Sequence, residues 1–285
     1  MKHKAPSTAG LKKNSKAVSP ALSTAILTSA IVVLLLVTMV FTSNFLEARI
    51  VENEFSAMKQ FMQTVGLQID DVAWIPGRTQ TIRYASRYGH VAFVDKALTY
   101  AVTVETDTGP VELGTYTTGI LMFNMPISKY SLGNNYHERI FPASGSFLNE
   151  EDVSASTSYI FIVEKLLMKD GNYIRVVVVP CIRVLDATIG GEKYSKLYLP
   201  VLSSASSHPE RSQSVTLAGE RVLINAQQGY FVNINVAFPK AGLGFDEDFF
   251  KFERLEELYP HTKPGSKSFI ELYVGVVTVT LGLHG

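Results

Sequence analysis

Thirty consecutive positions, Ala17 to Leu46, carry no charged side chain, and the polar pattern differs on their two sides. Before the run the ionisable residues are Lys2, His3, Lys4, Lys12, Lys13 and Lys16; the first acid of the chain is Glu47. A helix rises about 1.5 Å per residue and a hydrocarbon core is about 30 Å thick, so about 20 apolar residues suffice to cross it. The run is long enough. Lysines confined to one flank place that flank in the cytoplasm. The pattern therefore predicts a single membrane anchor, with the N-terminus inside and residues 47–285 outside.

Beyond Leu46 the pattern stays helical. Ile50, Val51, Phe55, Met58, Phe61, Met62 and Val65 recur at spacings of three and four, with Glu47, Arg49, Glu52, Asn53, Lys59 and Gln63 mostly between them. That is one apolar stripe on an amphipathic helix. No proline or glycine interrupts residues 21–65, so one helix of about fifty residues, on the order of 70 Å, is expected. Its first half suits lipid or a helical filament core. Its second half presents a stripe to a folded head. Four segments follow: a basic leader at 1–17, a transmembrane helix at 18–46, an amphipathic extension at 47–70 and an outer domain at 71–285.

From residue 72 the periodicity shortens to that of strands. Runs rich in Val, Ile, Thr, Tyr and Phe alternate with Gly, Pro, Asn, Asp and Ser. Strands are predicted at 79–85, 90–94, 98–106, 111–116, 119–124, 159–168, 173–185, 196–202, 214–226, 230–238 and 269–281. Asp107-Thr108-Gly109-Pro110 and Asp170-Gly171-Asn172 read as hairpin turns. Val176–Val179 is apolar on both faces, which predicts a central strand covered on both sides. One helix is expected after Asp246-Glu247-Asp248, with Phe249, Phe252, Leu255 and Tyr259 on one face and Pro260 ending it. Residues 127–156 show no period, and 129–137 read as an exposed loop with aromatics. The fold class predicted is α+β: a long N-terminal helix, then a mainly antiparallel, β-sandwich-like head.

The junction adds to this. Lys16-Ala17-Val18-Ser19-Pro20 joins the basic leader directly to the uncharged run. A secretory signal would have an apolar stretch of about 7–15 residues and a small-residue cleavage site after it; Thr42 to Arg49 offers no such site. An uncleaved anchor needs nothing beyond hydropathy. The junction itself resembles the processing site of archaeal type IV pilins and archaellin-like proteins, a resemblance covering about residues 12–70. It implies that a prepilin-type peptidase acts at Lys16, Ala17 and Val18, cutting after Ala17 so that the helix stays on the mature protein. It also implies assembly with other pilin-like subunits through that helix. Small residues let helix backbones approach closely, and Ala21, Ala25 and Ser29 in the first third of the segment are the expected contact positions, whereas Ile31 to Val37 is bulky.

Charge and chemistry narrow the alternatives. The chain has 26 basic and 26 acidic residues; five of the lysines lie in the leader, leaving 21 basic against 26 acidic. A mildly acidic exported part argues against nucleic-acid binding. The single cysteine, Cys181, permits no intrachain disulfide and reads as a small buried hydrophobe. None of the six histidines has a second His or Cys at ligand spacing, and the hydrolase, metalloprotease and phosphate-loop motifs are missing. Asp70-Asp71 and Asp246–Asp248 lack the alternating oxygen donors calcium needs. Arg78, Arg83 and Arg87 with Tyr84 and Tyr88 form a small basic aromatic segment, a solvated face or a docking surface. The expectation is a membrane-held pilin-like protein without enzymatic activity, metal or cofactor. The alternative is a singly anchored binding module that forms no filament.

Overall fold

The computed structural model describes residues 15–133, 136–141, 148–149, 158–164, 172–204, 213–252, 256–260 and 267–282. Helix α1 runs from Ser15 to Ala73 without interruption, with Pro20 inside it. The chain forms two compact units, one up to Ile50 and the other from Val51 onward. The second unit contains the last part of α1 and every strand.

Among the described residues thirteen strands follow: β1 Thr79–Arg83, β2 His90–Thr106, β3 Gly109–Pro126, β4 His137–Phe141, β5 Leu148–Asn149, β6 Ser158–Glu164, β7 Tyr173–Pro180, β8 Ile182–Ile189, β9 Glu192–Ser204, β10 Ser214–Gly229, β11 Phe231–Ala237, β12 Glu256–Pro260 and β13 Ser268–Leu281. They build two sheets, one ordered β1-β10-β13-β9-β8-β5 and the other β12-β11-β2-β3-β7-β6-β4. Pairing is antiparallel except between β13 and β9 and between β5 and β8.

The α+β class holds, but the sheets curl like half-barrels instead of lying as the two plain layers of a sandwich. Strand β13 shows how. Its Ile270, Leu272 and Val274 enter the core between the two sheets, whereas Val277, Val279 and Leu281 enter the core beneath α1. Side chains alternate along a strand, so these two sets lie on opposite faces. A long twisted strand thus covers one core with one face and the second core with the other. Strand β7 sits between β3 and β6. It gives Val177 and Val179 to the first core and Val176 and Val178 to the second, so it is covered on both sides as its sequence predicts.

Several expected elements merge or divide. Residues 90–94 and 98–106 are one strand with an irregular pairing between Val94 and Leu98, where Lys96 adopts φ 53°. Residues 111–116 and 119–124 are likewise one strand, β3. The 173–185 run divides at Cys181 into β7 and β8. The β2–β3 hairpin turns at Asp107-Thr108, with Gly109 at φ 110°. Strands β6 and β7 pair antiparallel, although Asp170 and Gly171 of their turn lie outside the described residues.

The helix expected up to Pro260 is the main correction. Helix α2 covers only Glu247–Phe250, capped by Asp246, whose carboxylate accepts from the Phe249 backbone N–H at 3.1 Å. Adjacent Phe249 and Phe250 are both buried, so no single helix face could serve them for long. Lys251 closes the turn in the left-handed region, and Glu256–Pro260 becomes β12, paired with β11. A phenylalanine cluster fills the core here, with Phe245 edge-on to Phe249 at 5.1 Å and Phe238 stacked on Phe250 at 5.3 Å.

Candidate functional site

The first part of α1 is exposed apolar surface. Fifteen large apolar side chains between Leu22 and Leu46 are each at least 50% exposed. Soluble monomers rarely expose contiguous apolar patches beyond a few hundred Å². Among the described residues this is the one helix long and apolar enough to cross a membrane. Three of its hydroxyls bond within the helix. Ser29 Oγ donates to the Ala25 carbonyl at 2.8 Å, Thr38 Oγ1 to that of Leu34 at 2.7 Å, and Thr28 to that of Thr24. Such bonds to the preceding turn hide the polar atoms of Ser and Thr and leave the surface around Ala25 and Ser29 small and apolar.

Lys16, Ala17 and Val18 lie in the first turns of α1. Pro20 has no backbone N–H, so the bond that a helix would make back to the Lys16 carbonyl is missing. The N–H groups at the start of a helix also have no partner within it. The Ala17–Val18 peptide bond lies within this first, less hydrogen-bonded part of α1. Ala21 and Ala25 stand one turn apart, with Ser29 a further turn along the same line.

The second part of α1 is seated in the head. Val51, Phe55, Met58, Met62, Val65, Ile69 and Val72 follow one another at steps of four and three, and none is more than 3% exposed. They pack on Leu121, Phe123, Val176, Val178, Val215 and Val277, among others. Burial of seven such side chains is worth roughly 10–20 kcal/mol as an upper bound. Two members of the expected stripe differ. Ile50 is 49% exposed, and Phe61 is half-buried at the margin, its ring 4.9 Å from Tyr84.

Three glycines admit the helix backbone. A Cβ on Gly275 of β13 would lie 2.5 Å from the Ala73 carbonyl oxygen, and one on Gly219 of β10 would lie 2.5 Å from that of Val72. One on Gly66 would lie 2.9 Å from the Ile160 side chain. Polar contacts then fix the seat. One oxygen of Glu54 accepts from Ser86 Oγ at 2.5 Å, Arg87 N at 3.0 Å and Tyr88 N at 2.9 Å. Lys59 pairs with Glu138 at 3.3 Å. Asp70 accepts from Trp74 Nε1 at 3.1 Å and lies 3.8 Å from Arg183, and Asp71 pairs with Arg78. The acids of 70–71 thus serve the end of the helix.

The basic aromatic segment does not form one face. Strand β1 ends at Arg83, and Arg87 lies in the loop that Glu54 holds. Tyr84 is buried, accepts from Val91 N at 3.2 Å, and has its hydroxyl pKa raised by that burial. The described residues of the loop expected at 129–137 are held by side-chain contacts. Tyr130 lies tilted against Phe55 with ring centroids 4.8 Å apart, and Ser131 Oγ and Leu132 N donate to buried Glu164. His137 begins β4 and stacks on Phe161 at 5.2 Å. Burial, then the charges of Lys251 and Arg139, lower its pKa to about 4. Cys181 is 2% exposed, its thiol 3.6 Å from the Val179 carbonyl.

Glu54 and the glycines at 219 and 275 escape sequence reading as parts of the seat. Glu54 looks like any polar residue on the outer face of a helix. The glycines carry a signal that was usable: glycine inside a strand pattern often marks close approach of another backbone.

No family model matches this chain, and no similar curated protein or solved structure was found.

Proposed function

We infer that this is a pilin-like surface protein, held in the membrane by the first part of α1 and displaying the β-rich head outside the cell. A prepilin-type peptidase cuts it between Ala17 and Val18, and the retained helix joins other pilin-like subunits as a minor or accessory member of a type IV pilus-like filament. The observation that carries this reading is the character of α1. An uncharged exposed stretch follows a lysine-rich leader directly, and the same helix continues into a stripe buried in the head. A flexible polar linker, the common exit from a simple anchor, does not occur between them. Basic residues before the stretch and acids only after it orient the leader inward. The head then needs no catalytic centre, and its role is to be displayed or to touch other surfaces.

Assembly through α1 is tested with Ala25→Leu and Ser29→Leu together. The pair preserves apolarity and insertion while filling the small surface. Membrane insertion is expected to persist, and higher-order species captured by crosslinking are expected to disappear. A double variant that crosslinks like the parent would leave a singly anchored binding module as the reading.

A further inference from the structure

A bulge in β2 turns a charged side chain into a cleft that the anchoring and assembly reading does not use. In a regular strand consecutive side chains point to opposite faces, yet Val94 and Asp95 both line this cleft. Pairing with β3 passes from Val94 opposite Ile120 to Leu98 opposite Thr118, so the residues from Asp95 to Ala97 stand against Gly119 alone. Lys96 takes φ 53°, a left-handed conformation that is unfavourable for a residue with a Cβ. A Cβ on Gly119 would lie 2.8 Å from the Val94 carbonyl oxygen, so β3 is shaped to receive the bulge. Bulges of this kind re-aim side chains and occur often beside functional sites.

The cleft has a volume of about 470 Å³. Its apolar walls include Met122 and Phe245, both buried. Opposite in charge to Asp95, Lys240 lines the same cleft from the segment after β11, and both residues are half-buried. Neither side chain makes an ion pair or a hydrogen bond with the other or with any other described residue. Charges drawn partly out of water are ordinarily paired. Small-molecule sites have volumes of about 300–1,000 Å³, mainly apolar walls and a few polar groups that fix orientation. An unpaired acid and an unpaired base on apolar walls complement a small molecule that carries both charges and an apolar chain.

We propose that this cleft binds an apolar α-amino acid as its zwitterion, with the ammonium on Asp95, the carboxylate on Lys240 and the side chain against Met122 and Phe245. The probe is leucine. Leucinamide lacks its carboxylate, and N-acetylleucine lacks its ammonium. The readout is the ε-methyl signal of Met122 in methyl-labelled methionine spectra of the full chain in detergent micelles. Met58 and Met62, buried where α1 is seated, report in the same spectra that the head stays folded. Leucine is expected to shift the Met122 signal saturably, and each analogue to bind about tenfold more weakly, the weight of one charge-assisted hydrogen bond. Asp95→Asn is expected to bind leucine and N-acetylleucine alike, and Lys240→Gln to bind leucine and leucinamide alike. Absence of a saturable shift up to millimolar leucine, or equal affinities of the parent for all three ligands, would overturn the proposal. Folded variants that discriminate as the parent does would overturn it as well. Should a variant lose its fold, the ranking of the three ligands by the parent decides.

Discussion

Gly275→Ala is the sharpest probe of how α1 is held. The added methyl would lie 2.5 Å from the Ala73 carbonyl oxygen and 2.9 Å from the Ala73 carbonyl carbon and Cβ. Ordinary contact begins at 3.4 Å, so the helix end must move by close to an ångström. The opposing atoms are mostly backbone, and no side-chain rotation relieves them. Overpacking of a close-packed interior typically costs about 1–3 kcal/mol. For a unit of this size each kcal/mol lowers the melting temperature by about 2–4 °C, which gives a fall of roughly 2–12 °C. Trp74 follows Ala73 directly, its ring 5.2 Å from Tyr198, and it is the one tryptophan of the chain. Its fluorescence in a thermal melt therefore reads the seat itself. Gly242→Ala is the control, since nothing lies within 4 Å of a Cβ there. It is expected to be neutral or to stabilise by up to about 1 kcal/mol through the unfolded chain. If Gly275→Ala melts like the parent, the end of α1 is not seated on β13 as described.

Protease added to intact cells is expected to trim residues beyond α1; digestion only after lysis would reverse the orientation. Acid is expected to weaken the head between pH 6.5 and about 4. The folded pKa of His137 is depressed to about 4, so in this window the unfolded chain binds a proton that the folded head does not, and stability falls as pH falls. His137→Phe, which retains the stacking on Phe161, is expected to flatten that part of the melting-temperature profile relative to the parent. Equal profiles would show that His137 does not titrate in this way.

The helix was the most legible part of the chain. Thirty uncharged positions and a stripe at steps of three and four survive any tertiary context, and α1 extends beyond its predicted ends by only a few residues. Strand-rich stretches were legible as strands, because Val, Ile, Thr and Tyr patterns are local. The curl of the sheets was not, because it depends on which face of β13 meets which core along its length. Phe249 to Tyr259 misled for a related reason. Their helical spacing is overruled by the demand of the inter-sheet core for adjacent Phe249 and Phe250 and by β11 for a pairing partner. The seat was half legible: its apolar stripe shows in the sequence, but the loop that Glu54 holds and the glycines that receive the helix lie far from it along the chain.

Whether the chain is cut before Val18 with its helix kept is decided by the intact mass of the protein extracted from its native membrane. The expected mature chain begins at Val18 and retains the whole uncharged run. A mass that still includes residues 1–17 would leave only a plain anchor, and one that lacks the run would remove the anchor altogether.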